Sequence, residues 1–217
     1  MVKTKIEPTE TTKEKILHAA KIVFMEKGKA GARMDEIARA ASVNKAMIYY
    51  YFQSKDVIYN DILRVFFMEG FNEVCKIINK SLSLSQTIQK LVEFYVDYYA
   101  NNPDFGKIIL RELIDGGINI KPILKELKGK TDFLRANFLI KTFEAEINAG
   151  NMRPVNAEHL ILNIIAMCCH YFIARPLVHT MFNLSEENEK HFLQERKAAI
   201  IDLILNGIEI QKNRNKG

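Results

Sequence analysis

Residues 33–55 read Arg33-Met-Asp-Glu-Ile-Ala-Arg-Ala-Ala-Ser-Val-Asn-Lys-Ala-Met-Ile-Tyr-Tyr-Tyr-Phe-Gln-Ser-Lys55. The pattern is two very short helices joined by a tight turn, with a third helix starting behind them. Ile37 and Ala38 supply the inner face of the first helix, and Ile48 with Phe52 supply that of the second. Ala41-Ser42-Val43 make the turn between them. Outside the second helix stand Asn44, Lys45, Ala46, Tyr49, Tyr50 and Tyr51, a polar, basic and aromatic surface about two turns long. A helix this short has no stability of its own. Its neighbours must hold it so that its outer face is presented to a partner, and the dimensions suit a DNA major groove.

The charge distribution supports that partner. Residues 1–55 carry eleven Lys/Arg against six Asp/Glu, while residues 56–217 carry twenty of each sign. The whole net charge of +5 therefore sits on the segment with the helix-turn-helix pattern. A basic excess confined to one segment is the electrostatic footprint of nucleic-acid binding.

Helical signals continue on both sides. Thr11 and Glu14 have capping-box spacing ahead of Ile16, Leu17, Ala20, Val23 and Phe24, and Gly28 is the expected stop. Ser54 is placed to cap a long helix from Lys55 to about Asn79, and Ser83 with Gln86 to cap the next. Pro103 sits where a first helical position is expected, and Gly116-Gly117 closes that helix. The stretch from Pro122 to Ala149 is helical in pattern, with a break expected near Gly129. A helix from Asn156 or Ala157 is expected to stop near Ala174, ahead of Pro176, and the last to run from about Ser185 to Asn206 with Gly207 as its end. No segment alternates as a strand does. The fold class is all-α, with about nine or ten helices in a bundle.

Several functions are disfavoured. The longest apolar run, Ile161 to Cys169, is interrupted by Asn163 and too short for a membrane span. The N-terminal segment has no apolar stretch of signal-peptide type. Cys75, Cys168 and Cys169 are odd in number and lack CxxC spacing, which suits a reducing, cytoplasmic setting. Cys168-Cys169-His170 invites a metal reading, but adjacent cysteines on a helix point about 100° apart. A place in the core is the better reading, so no metal and no cofactor is expected. No nucleophile–base pair, phosphate loop or paired-carboxylate motif is present, so an enzyme is not expected.

The chain resembles the TetR/AcrR family of bacterial transcriptional regulators. The resemblance is carried by Ile16-Leu17-x-x-Ala20…Phe24-x-x-x-Gly28, by Met34-Asp-Glu-Ile-Ala38, and by Ser42-Val43-Asn-Lys-Ala-Met-Ile48-Tyr49-Tyr-Tyr-Phe52-x-Ser54-Lys55. Gly150-Asn-Met-Arg153-Pro154 looks like the turn before the penultimate long helix of many members. Departures are Arg33 in place of a capping Ser or Thr, Ser42 for the turn glycine, and Ala46-Met47 for the common Gly-Thr. Met47 lacks the hydroxyl that a phosphate would accept from.

The resemblance implies a DNA-binding domain over residues 9–55 and a ligand-binding and dimerisation domain over 56–217. It implies a homodimer on a palindromic double-stranded operator, with recognition helices about 34–36 Å apart. DNA-facing candidates are Arg33, Asn44, Lys45, Ala46, Tyr49, Tyr50, Tyr51 and Lys55. Of the tyrosines, Tyr50 is expected to serve the core more than the groove. Lys55, in the first turn of a long helix, is the strongest candidate for a phosphate contact. Ligand candidates are Phe66, Phe67, Phe94, Tyr95, Tyr98, Phe105, Phe138, His170 and Tyr171, whose mixture of apolar rings and polar tips suits a small apolar or amphipathic ligand. Dimer candidates are Leu160, Asn163, Met167, Ala198, Ile201, Ile204 and Leu205. For both groups the alternative is a simple place in the core of one protomer. The expected function is a ligand-responsive repressor; the alternative is a protein–protein module on the same fold without sequence-specific DNA binding.

Overall fold

The computed structural model describes residues 11–78, 82–129 and 136–210, with 103–104, 127–129 and 136–138 described in backbone alone. Among them are ten helices and no strand: α1 (Thr12–Gly31), α2 (Met34–Ala40), α3 (Lys45–Tyr51), α4 (Lys55–Ile78), α5 (Leu84–Asn101), α6 (Pro103–Ile114), α7 (Ile120–Gly129), α8 (Ala136–Asn148), α9 (Ala157–Phe182) and α10 (Glu186–Ile208). They form two compact units, one of residues 1–66 with 107–123, the other of 67–106 with 124–217. The expected break near Gly129 borders residues 130–135, which lie outside the described residues.

The first unit is built on α1. The Thr11 hydroxyl accepts the Glu14 N–H and the Glu14 carboxylate accepts the Thr11 N–H, closing the capping box expected from the spacing. Ile16, Ala19, Ala20, Val23 and Phe24 line its buried face. Gly28 leaves the helical conformation at φ +69°, a left-handed geometry that glycine adopts without strain, so the regular helix breaks there before one more turn. Below it, Phe24 meets Tyr59 of α4 edge to face, ring centroids 5.0 Å apart.

The second unit is a bundle in which α5 packs on α9 and α10, and α8 on α9. Its core joins Ile88, Leu91, Val92 and Val96 of α5 to Phe143 of α8, Ile164 and Cys168 of α9, and Ile200 and Ile204 of α10. Lys197 of α10, almost wholly buried, is neutralised by Asp97 of α5. Arg153, in the turn before α9, donates its backbone N–H to the Ile208 carbonyl at 2.9 Å and its Nε to the Gly207 carbonyl, closing the end of α10.

Two helix ends differ from expectation. α9 does not stop before Pro176 but runs through it to Phe182, where Asn183 turns left-handed at φ 52°. Pro176 has no N–H to give the Phe172 carbonyl, yet its own carbonyl still accepts the Thr180 hydroxyl at 3.0 Å. The lost bond is outweighed by tertiary packing: Tyr171 and Phe182 both lie against Phe192 of α10, at 5.5 and 6.5 Å. α10 likewise passes Gly207 and ends at Ile208, whose side chain is held in the core. With the proline included, α9 becomes 26 residues long, with a mean hydropathy of 1.6 over its most apolar 18 residues, of which 17% are buried. By length and composition alone this one described helix is apolar enough to cross a membrane.

Candidate nucleic-acid interface

The helix-turn-helix is assembled by short-range bonds and two buried anchors. Glu36 accepts the Arg33 N–H at 3.2 Å and the Lys27 ammonium at 2.6 Å, so α2 begins under a carboxylate. Arg33 itself makes no side-chain cap. In the turn, the N–H groups of Ala41, Ser42 and Val43 donate to the carbonyls of Ile37, Arg39 and Ala38 at 2.9, 3.1 and 3.0 Å. Ser42 adopts φ 55°, the left-handed position at which a glycine would be unstrained. Asn44 caps α3, its Oδ1 accepting the Met47 N–H at 2.8 Å. Ile48 and Phe52 are fully buried and hold the seven-residue helix in place.

Outside those anchors the surface is aromatic and cationic. Tyr49, Tyr50 and Tyr51 are all exposed, and Tyr50, at 80%, is the most exposed of the three. The expectation that Tyr50 serves the core is overturned, because Ile48 and Phe52 take the whole inward face and leave position 50 pointing out. Tyr50 and Tyr51 pack edge to face at 5.1 Å. Ala46, Arg33 and Arg39 are exposed beside them.

Lys45 reaches back to Asp35 of α2, Nζ to Oδ1 2.7 Å, and lies over the Tyr49 ring, 6.0 Å from its centroid. The hydrogen bond to Asp35 and its charge raise the lysine's pKa. The pair is fully open to solvent and screened accordingly. The Lys55 ammonium donates to the carbonyls of Ala30 and Ala32, both at 3.1 Å. Neither pairing is visible in the motif, because each depends on a residue from a different helix.

The aromatic candidates of the second unit fall into separate groups. Phe94 packs against Tyr95 and Tyr98, with centroids 5.2 and 5.3 Å apart, and the Tyr98 hydroxyl donates to Glu69 at 3.1 Å. Phe67 meets Phe105 edge to face at 6.3 Å. Tyr171 donates to Glu189 at 2.7 Å, and His179 and Arg175 converge on the same carboxylate, tying α9 to α10. His170 is exposed, Phe66 is buried within the first unit, and the Phe138 side chain lies outside the described residues. Cys168 is wholly buried, and burial, then the neighbouring Cys169, pushes its thiol up to about 12. Among the described residues, no three His, Cys, Asp or Glu side chains gather as metal ligands.

Of the dimer candidates, Leu160 and Ile204 are buried in the core of their own unit, Asn163 and Ala198 are exposed, and Met167, Ile201 and Leu205 are half-buried. Sequence reading missed Leu162 and Leu203, the large apolar side chains that are exposed on α9 and α10. A groove of about 430 Å³ lies between the two helices, lined by His159, Asn163, Ala166 and Leu203 among others.

A two-helix reading head with buried Ile48 and Phe52 behind an exposed cationic and aromatic face defines a helix-turn-helix DNA-binding protein. Residues 16–62 match the model of bacterial regulatory proteins of the tetR family, and residues 85–204 match the tetracyclin repressor-like C-terminal domain. The chain belongs to the TetR family and is a DNA-binding transcriptional regulator. Among its relatives is the HTH-type transcriptional repressor NicS of Pseudomonas putida, 25% identical over 205 residues, spanning 92% of this chain and 93% of NicS. Solved structures share the fold. The ketosteroid transcriptional regulator KstR2 of Mycobacterium tuberculosis superposes with a TM-score of 0.70 at 16% identity, covering 94% of this chain and 97% of KstR2. FadR of Bacillus subtilis, solved in complex with stearoyl-CoA, gives 0.66 at 18% identity, covering 90% and 98%.

Proposed function

We propose that this regulator is a ligand-responsive repressor that binds a palindromic operator as a homodimer. The observation that carries the reading is the exposed face of α3, held rigidly by Ile48 and Phe52. Residues 9–55 carry DNA binding and 56–217 carry ligand binding and dimerisation. Lys45, Ala46, Tyr49, Tyr50 and Tyr51 reach base edges, while Arg33 and the free amide of Asn44 reach the backbone. Asp35 keeps Lys45 at the N-terminal end of the recognition helix.

The exposed apolar faces of α9 and α10 support dimerisation. Leu162 and Leu203 are more than half exposed in one protomer, and a second copy would cover them. The same pairing accounts for an apolar helix with so little of its surface buried, so we assign the protein to the cytoplasm and not to a membrane. We place an amphipathic ligand in the second unit, among its aromatic side chains. The stearoyl-CoA bound by the B. subtilis FadR suggests a long acyl chain with a polar head as the first probe.

Release from DNA then follows from linkage. A ligand moves the dimer from DNA-competent to incompetent only by binding the second state more tightly, and a nearly complete shift takes about 5.5 kcal/mol of differential affinity. α4 is the natural lever, because it belongs to the first unit up to Phe66 and to the second beyond it. The test is selection of genomic fragments by the purified protein, followed by titration of the recovered site with long-chain acyl-CoA. One enriched palindrome, bound less tightly as salt rises and released by acyl-CoA, is the expected result. Uniform recovery of all fragments would refute operator recognition. Retention of the operator at saturating acyl-CoA would remove this ligand class.

A further inference from the structure

The broken end of α1 gathers unusual attention from cations. Past Gly28 the helix is interrupted, which leaves carbonyl groups at its negative dipole end short of intrahelical donors. Arg111 of α6 sends one guanidinium nitrogen to the Phe24 and Met25 carbonyls at 2.9 and 3.0 Å. Lys55, at the start of α4, takes the next two available, Ala30 and Ala32. Arg111 is itself set in a framework. Its neighbour Glu112, 2% exposed, accepts the Asn119 backbone N–H at 3.2 Å and its side-chain amide at 2.8 Å. The Asn119 carbonyl oxygen in turn accepts the Lys29 ammonium at 2.8 Å, and Lys29 pairs with Asp56 at 2.9 Å.

Two consequences follow from this geometry. The residues after the clasp, Arg33 onward, are the helix-turn-helix, so whatever fixes residues 24–32 fixes the point from which α2 and α3 set out. The Lys55 ammonium has three N–H donors and spends two on carbonyl oxygens of its own unit. We infer that Lys55 and Arg111 are positioning residues for DNA recognition: together they clasp the broken end of α1 and set the pose of the recognition helix, without contacting DNA themselves. Arg111 stands nearly fifty residues beyond the end of the matched DNA-binding segment at 62, so no helix-turn-helix motif contains it. The inference rests on the DNA-binding reading of α3.

The experiment uses the full chain, the operator recovered from the genome and a random-sequence duplex of equal length. Binding is measured across a range of salt concentrations for wild type, Lys55→Met, Lys55→Arg and Arg111→Gln. Lys55→Met and Arg111→Gln should each lose about tenfold or more on the operator. Each should stay within about twofold of wild type on the random duplex, because non-specific binding needs charge and not pose. The slope of log affinity against log salt should keep its wild-type value in both. Lys55→Arg should recover most of the operator affinity, since a guanidinium can serve both carbonyls. Amide exchange over residues 28–34 should quicken in Arg111→Gln, which reads the clasp without DNA.

A slope shallower by about 0.9 in Lys55→Met would mean that Lys55 releases a counterion from phosphate, and would overturn the inference. Equal losses on both duplexes would also overturn it, since that marks a smaller folded fraction and not an altered pose. If wild type selects an operator and both variants bind it normally, the clasp is irrelevant while the DNA reading stands. If wild type binds no DNA, the DNA reading fails and takes the inference with it.

Discussion

Ile48 and Tyr50 stand two residues apart on one short helix and should respond to truncation in opposite ways. Ile48 is wholly buried and Tyr50 is 80% exposed. Ile48→Ala removes core methyl groups and leaves a cavity, at a cost of about 2–5 kcal/mol. α3 is seven residues long and has no stability of its own, so losing one of its two buried anchors loosens the recognition helix itself. Tyr50→Ala strips atoms that already lie in water and should change stability by no more than about 0.5 kcal/mol. Its effect belongs to the complex, where an aromatic at a DNA surface is worth about 1–2 kcal/mol, or roughly five- to thirtyfold in affinity. Urea denaturation followed by circular dichroism measures the first quantity, and fluorescence polarisation on labelled operator the second. Comparable shifts of the urea midpoint in both variants would show that the Tyr50 ring is packed. Full operator affinity in Tyr50→Ala would take the reading surface away from this face.

Three further outcomes are expected. Burial raises the Glu189 carboxyl pKa, but the hydrogen bonds from Arg175 and Tyr171 outweigh it and hold the group below the usual range. A depressed folded pKa contributes stability that is complete above the unfolded value of about 4.3 and is lost as pH falls through the folded one. Glu189→Gln should therefore flatten the acid limb of the stability profile below about pH 4.3, and an unchanged limb in acid titration would refute this. Cys168, with its thiol pushed up to about 12, should resist a maleimide at pH 8 until denaturant is added, whereas labelling of that residue in the native protein by mass spectrometry would contradict its burial. Leu203→Lys, at an exposed position of α10, should leave the protomer folded, halve the mass seen by sedimentation and abolish tight operator binding. A stable dimer in that variant would move the interface elsewhere.

Local signals are those that depend on neighbours in the chain, and these were legible. The capping boxes at Thr11 and Ser83, the helix break at Gly28, the turn at 41–43 and the inward Ile37, Ile48 and Phe52 all rest on residues within one or two turns of each other. Helical periodicity and cap chemistry act over that distance, so an all-α chain with a helix-turn-helix near its start could be read directly. Pro176 shows where the same signals mislead. A proline removes one hydrogen bond, and contacts from α10 at Phe192 decide whether the helix survives it.

The sequence alone therefore determined the fold class, the position of the reading head and the residue types it presents. Only the tertiary structure decided which of those side chains are at liberty. It turned Tyr50 outward, paired Lys45 with Asp35 and committed Lys55 to two carbonyls of α1. It also brought Arg111 and Asn119 to the broken end of α1 from some ninety residues away. Spacing within a helix says which face a residue shares. The partner across that face comes from another part of the chain, and only packing brings the two together.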